Sequence, residues 1–339
     1  WWTKAEEPWS FLAWCFEWSE FVVEGLGYKS SIPVCLDGSN NGLQHFSAML
    51  RDPIGGKATN LTPEVSPQDI YQSVADVVLT NVEKDAILNV KFSKEWLDFG
   101  ISRKITKRPV MVVPYGGTRY SCRTYIEEGI HEAILNGTPN IFGDEVYEAS
   151  LYLSGHVWSA IGEVVVAARE AMSWLRNIGS QMASKNMGVS WQTPSDFIVH
   201  QAYKSMKGKR VTTHIDNVLI KPTVLEETEK IDKRRSTNGL SPNFVHSMDA
   251  AALTLTINKC IMSGISDFAV VHDSYGVHAA CVPRMASAIR EAFVDMYEDR
   301  DVLHDLLENV EGVLPDLESP PKGGSLDIQG VLKSQYFFS

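Results

Sequence analysis

Two short apolar runs at opposite ends of the chain lead into an aspartate: "SIPVCLD" at 31–37 and "FAVVHD" at the start of "FAVVHDSYGVHAACV", 268–282. The first reads as a buried strand, followed by the turn "GSNNG" and a helix, "LQHFSAML"; the second reads as two short strands meeting at His272-Asp273-Ser274. A carboxylate at the tip of a buried strand is costly to desolvate unless it is capped, paired or bound to a cation. Taken singly, Asp37 and Asp273 read as turn formers. Brought together by adjacent strands, they suit Mg²⁺, which takes a few carboxylates and keeps waters or phosphates as its other ligands. Two such ions about 3.5–4 Å apart clamp an in-line phosphoryl displacement. More than two hundred residues separate the acids, so their spacing alone does not make them neighbours.

The intervening chain is mainly helical in pattern. "SPQDIYQSVADVVLTNV" predicts a helix with Ser66 as N-cap, Pro67 at the first helical position and Asp69 closing the box, with Ile70, Val74, Val77 and Val78 as its apolar face. Helical patterns continue to about residue 190. Short alternating segments over 189–221 then predict strands and a hairpin, and "SPNFVHSMDAAALTLTINKC" predicts a helix starting at Ser241-Pro242. Near the start, Phe11, Trp14, Cys15 and Trp18 recur at helical spacing, which predicts packing into a core. Residues 295–318 hold nine acids and one Lys or Arg, a composition read as a solvated helix face.

One stretch runs against the charge of the whole. In "RKITKRPVMVVPYGG", 103–117, the cations Arg103, Lys104, Lys107 and Arg108 crowd into six positions of a chain whose formal net charge is −11. On a helix, Arg103, Lys107, Met111 and Tyr115 form one slowly drifting stripe about 18 Å long, the length of a nucleoside triphosphate from phosphates to sugar. Pro109 and Pro114 predict kinks in it. By composition alone the stretch is also a solvated basic patch followed by a buried apolar helix.

The acidic balance (pI about 5.3) argues against a general nucleic-acid sponge but leaves room for a local basic channel. Five scattered cysteines, odd in number and never CxxC, fit a reducing cytosol without a structural disulfide or zinc, and no apolar run suggests a membrane partner. The expected location is cytoplasmic, the host cytoplasm if the source is viral. Trp1 in place of Met predicts a piece of a longer polypeptide.

"DGSNNGLQHFSAMLRD", "SRKITKRPVMVVPYGGT" and "VVHDSYG", in that order, resemble motifs A, B and C of the single-subunit, phage-type DNA-directed RNA polymerases. "SPNFVHSMD" is similar to the segment before the third motif, and "LDIQGVLKSQYFFS" resembles the family's aromatic C-terminal foot. The resemblance covers nearly the whole chain. It implies an α+β, right-hand polymerase fold: a palm over 1–65 and 247–339 with an antiparallel sheet and the foot, and mainly helical fingers over 66–246. It further implies two Mg²⁺ ions held by Asp37, Asp273 and the Gly38 carbonyl. Arg103, Lys107 and Arg108 would grip the triphosphate, Tyr115 and Tyr71 would lie at the nucleotide, and His246 would contact nucleic acid near the growing end. The implied reaction is DNA-templated RNA synthesis from ribonucleoside triphosphates, with Asp37, Asp273, Lys107 and Tyr115 as catalytic residues and template, promoter and nascent RNA as partners.

The hairpin at about 204–221 sits where the family reads promoter sequence. Its Lys207, Lys209, Arg210, Thr212, His214 and Lys221 differ from the best-known member, though the basic residues suit contacts to phosphates or bases. No segment resembles the family's thumb or N-terminal domain, so the expectation is a monomer completed by that portion. A repair-type DNA polymerase shares the two aspartates and the Lys…Tyr-Gly helix. There a glutamate five residues after the first aspartate fills the space of a 2′-hydroxyl; here that position is Gly42, which leaves the space open and would lie at the nucleotide beside Tyr115, and Ser274 replaces the acid that follows Asp273. A non-catalytic nucleic-acid-binding remnant is the other alternative, disfavoured by the presence of Asp37, Asp273 and Lys107.

Overall fold

The computed structural model describes residues 1–339. Helix α1 (Pro8–Glu24) precedes strand β1 (Pro33–Asp37), which runs into α2 (Asn41–Met49) and the short α3 (Pro53–Ala58). A helical block follows: α4 (Ile70–Ile87), α5 (Ser93–Phe99), α6 (Arg103–Met111), α7 (Arg119–Leu135), α8 (Val146–Val164) and α9 (Val166–Ser184). Next come three separate strand pairs. The hairpin β2 (Val189–Gln192) and β3 (Ile198–Gln201) is followed by a ribbon of β4 (Lys204–Arg210), β5 (Thr213–Ile215), β6 (Val218–Ile220) and β7 (Thr223–Ile231). The long α10 (Lys233–Met262), strands β8 (Ala269–Val271) and β9 (Ser274–His278), α11 (Val282–Tyr297) and α12 (Val302–Glu311) complete the chain.

One small sheet joins the two ends. It is antiparallel, ordered β1-β9-β8, and its register sets Asp37 opposite Ser274. β8 and β9 are joined through His272-Asp273 alone, and His272 takes the left-handed conformation (φ 54°) that so tight a reversal needs. Asp273 therefore sits one residue from the cross-strand partner of Asp37. The last residues lie alongside: Gly38 bridges Phe338, and Asp37 and Ser339 exchange backbone hydrogen bonds of 3.2 and 3.3 Å. The buried strand is β9, whose Tyr275, Gly276 and Val277 are covered, whereas β1, expected to be buried, is largely exposed. An apolar run shows that a strand can be buried, not which face its neighbours cover.

Helix α10 is the axis of the fold and packs against α9, α11 and α2. It begins at Lys233, capped by the Asp232 side chain (2.9 Å to the Arg235 N–H), so Ser241-Pro242 lies inside it rather than at its start. Pro242 is half-buried, and the helix runs on through it although it cannot donate. Helix α4 likewise starts at Ile70, not Ser66. Asp69 is its N-cap, accepting from Tyr71 (2.9 Å) and Gln72 (3.1 Å). In α12, Val302, Leu303, Leu306 and Val310 face inward while Glu308 and Glu311 face solvent, the division its acidic composition requires.

The N-terminal aromatic helix does not pack into a core. No residue of α1 is buried; Trp9 is 75% exposed and Val23 83%. Its rings stack along the helix instead, Phe11 on Trp14 (6.1 Å) and Trp14 on Trp18 (5.7 Å). Helical spacing marks an apolar stripe but does not supply the surface that covers it. No single helix is long and apolar enough to cross a membrane. Only α8 and α9 taken together combine the length and apolarity, at a 96° bend, and Leu153, Ala160, Ala171 and Leu175 along them are buried.

Candidate active site

The mouth of the sheet, the N-terminus of α2, helix α6 and one face of α10 enclose a cleft of 660 Å³. Asp37 and Asp273 both line it. Burial raises the Asp37 carboxyl above the ordinary aspartate value, opposed by the Gly38 N–H (3.2 Å) and the nearby Lys107 charge. Asp273 is also raised, by burial first and then by repulsion from Asp37. The donor set suits a hard ion: two carboxylates and the Gly38 carbonyl, which accepts the Asn40 N–H (3.0 Å) and keeps a second lone pair. No group of three or more His, Cys, Asp or Glu residues gathers anywhere to form a closed protein cage. Two carboxylates with room for waters or phosphates fit Mg²⁺ better than a structural metal.

Helix α6 presents Arg103, Lys107 and Met111 to the cleft, as their spacing predicts. The helix ends at Met111, and Val112–Gly117 turns back on itself through Gly116 at φ 90°. Tyr115 thus reaches the cleft from a turn rather than from the helical stripe. Arg103 is ion-paired with the N-cap Asp69 and lies over the Tyr71 ring (5.2 Å). Burial pushes the Tyr71 phenol up to about 12. Arg108 stands apart: it bonds Glu128 on α7 (2.6 Å), lies over Tyr125 and is absent from the cleft wall. On a helix, adjacent positions such as 107 and 108 point about 100° apart, so the two cations do not share a face.

Tyr115 is held on three sides. Its ring stacks on His246 from α10 (4.4 Å, 20° between planes), and its hydroxyl donates to Asp249, one turn further along (3.2 Å). Beneath it lies Gly42, buried in α2, where an added Cβ would sit 2.9 Å from Tyr115 Cζ and 2.7 Å from Pro114 Cγ. The space at Gly42 is therefore occupied by the tyrosine and proline, and Gly42 does not line the cleft. Sequence reasoning passed over Asp249. The only sign was its place in "SPNFVHSMD", three residues after His246.

The basic hairpin is longer than 204–221, since its outer strand β7 runs to Ile231. At the tip, Ile215 pairs with Val218 across Asp216-Asn217, both at positive φ (48° and 63°), the two-residue turn whose twist matches the strands. Lys207, Lys209 and Arg210 are exposed on β4. They are not a free basic face, because β7 sets Glu226 opposite Lys207 and within 3.0 Å of Lys209. Lys221 lies between β6 and β7, also exposed.

Paired carboxylates on an antiparallel sheet, faced by a cationic helix and a clamped tyrosine, define a site suited to phosphoryl transfer. The family model for DNA-dependent RNA polymerase matches residues 1–317. The chain is 34% identical over 384 aligned positions to the T7 RNA polymerase of Escherichia phage T7, covering 100% of this chain and 43% of that protein. It is 33% identical to the DNA-directed RNA polymerase of Enterobacteria phage T3, again over 100% and 43%. With the mitochondrial DNA-directed RNA polymerase 1 of Arabidopsis thaliana, identity is 36% over 100% of this chain and 35% of that one. The chain belongs to the single-subunit, phage-type DNA-dependent RNA polymerase family. It spans less than half the length of these relatives.

Proposed function

We propose that this chain carries the nucleotidyl-transfer site of a DNA-templated RNA polymerase, with palm residues in 1–65 and 247–339 and fingers in 66–246. The supporting observation is the convergence of Asp37 and Asp273, from strands far apart in sequence, on one cleft with Lys107, Arg103 and Tyr115. Mg²⁺, bound by Asp37, Asp273 and the Gly38 carbonyl, would lower the pKa of the RNA 3′-hydroxyl and neutralise the developing phosphate charge. Lys107 and Arg103 bind the triphosphate oxygens, adding positive charge where the leaving pyrophosphate collects it. Tyr115 and Tyr71 position the ribose and base. The 3′-oxygen gives its proton to solvent water and bonds to the α-phosphorus, the bond from the α-phosphorus to the bridging oxygen breaks, and pyrophosphate departs with that electron pair. DNA template and nascent RNA are the partners at this cleft, with His246 at the growing end. Lys207, Lys209, Arg210 and Lys221 on the ribbon are proposed to touch promoter duplex, and Arg108 to act on the triphosphate only indirectly, by anchoring α6 to α7.

The test is extension of an RNA primer on a preformed RNA–DNA scaffold, with ribo- and deoxyribonucleotides compared. Template-directed addition of ribonucleotides that requires Mg²⁺ supports the reading. Scaffold binding without extension under any divalent ion would point to a non-catalytic binding role instead.

A further inference from the structure

Asp249 is the most heavily contacted carboxylate beside the cleft and has no part in the proposed chemistry. Its side chain is 15% exposed. Oδ1 accepts from Asn41 Nδ2 (3.0 Å) and lies 3.1 Å from His45 Nε2, whose own Nδ1 contacts the buried Tyr297 hydroxyl (2.6 Å). Oδ2 accepts from the Tyr115 hydroxyl (3.2 Å) and lies 3.6 Å from His246 Nδ1. Burial opposes ionisation here, but the contacts from His246 and His45 outweigh it and hold the carboxyl at about 2. The group stays an anion in a nearly closed site, and an anion only accepts hydrogen bonds.

We infer that Asp249 is a positioning residue for sugar selection: by accepting the hydrogen bond of the Tyr115 hydroxyl it leaves the phenol oxygen facing the cleft as an acceptor only. A ribose 2′-hydroxyl donates to such an oxygen; a 2′-hydrogen does not. The inference rests on the reading of the cleft as a ribonucleotide site. Asn41 and His45, four residues apart on α2, and the stacked His246 ring hold the assembly in place, so the phenol cannot rotate its proton into the cleft without giving up its bond to Asp249 Oδ2.

The isosteric Asp249→Asn reverses the arrangement. The Asn41 amide donates to the Oδ1 side, so the amide oxygen settles there and the amide NH₂ points at Tyr115, which turns the phenol proton away from position 249 and towards the cleft, where the sugar hydroxyl needs an acceptor. The ratio of kcat/KM for ribo- over deoxyribonucleotide should fall about tenfold, as expected when one hydrogen bond to the substrate is removed. Tyr115→Phe should lower it by a similar factor, and the double variant should fall no further than Tyr115→Phe alone. Asp249→Ala serves as a second variant. A merely structural role would instead lower both efficiencies together and leave the ratio intact. An unchanged ratio in Asp249→Asn, or losses that add to those of Tyr115→Phe, would overturn the inference. A second readout does not need activity: in protein labelled with 3-fluorotyrosine, the ¹⁹F resonance absent from Tyr115→Phe should titrate at lower pH in Asp249→Asn, because the neighbouring anion is gone. If the wild-type chain extends no primer, the functional reading falls, while this titration still decides whether Asp249 controls Tyr115; an unmoved midpoint would refute that control.

Discussion

Gly42→Ala is the sharpest probe of how the site is built, because a single methyl group meets atoms that cannot yield cheaply. The new Cβ would stand 2.7 and 2.8 Å from Pro114 Cγ and Cβ and 2.9 Å from Tyr115 Cζ, where ordinary contact begins at 3.4 Å. Proline and tyrosine rings have no flexible end to swing away, so both must retreat by up to about 0.7 Å or α2 must shift as a whole. Overpacking of this kind costs about 1–3 kcal/mol, against a gain of at most about 1 kcal/mol for alanine over glycine in a helix. Strain therefore outweighs propensity, by up to about 2 kcal/mol. If Tyr115 gives way, its 3.2 Å bond to Asp249 lengthens past usefulness and the ring slides off His246. The expected result is a ribonucleotide kcat/KM lower by about tenfold, with each 1.36 kcal/mol worth a factor of ten. The melting temperature should also fall by a few degrees. Scaffold extension and thermal unfolding on the same preparations measure both. Wild-type efficiency together with a wild-type melting temperature would refute the close approach of Gly42 to Tyr115 and the clamping argument built on it.

Other outcomes follow from the same geometry. Asp273→Asn should reduce extension about a thousandfold, the loss of several kcal/mol of charge stabilisation, when rates are compared at saturating Mg²⁺. Because burial and Asp37 raise the folded pKa of Asp273 above its unfolded 3.8, its contribution to stability is fully present below that value and is lost as pH rises through the raised one. The Asn variant should therefore melt higher than wild type at pH 7 without divalent ions, and show less added stability when Mg²⁺ is supplied; a lower melting temperature would contradict the repulsion. Trp96, fully buried with its Nε1 donating to the Ala149 carbonyl (2.9 Å), should cost about 3–5 kcal/mol as Trp96→Ala, whereas Trp14→Ala on exposed α1 should cost under about 0.5 kcal/mol by denaturant titration. Replacing Lys209 and Arg210 with alanine should weaken duplex binding and flatten its salt slope by about 0.9 for each phosphate no longer neutralised; an unchanged slope would remove the ribbon from the DNA path.

The sequence by itself determined the elements of the site and their local form. Asp37 at a strand end, the tight His272-Asp273 reversal, the cations of α6 and the order of the three motifs all depend on neighbours within a few residues, where periodicity and turn chemistry act. Only the tertiary structure decided what those pieces meet. Strand alternation carries no label for its partner, so the pairing of Asp37 with Ser274 had to come from the fold. For the same reason Arg108 looked equivalent to Lys107 until α7 supplied Glu128, and Gly42 looked like open space until Pro114 and Tyr115 closed over it. Capping signals at Ser66 and Ser241 were outweighed by Asp69 and Asp232, whose side chains reach the free N–H groups of helices that tertiary packing placed elsewhere. Asp249 had no sequence signal of its own. An acid on a long helix is ordinarily a solvated charge, and this one is different because α2 and the Tyr115 turn bury it against two histidines, an asparagine and a phenol.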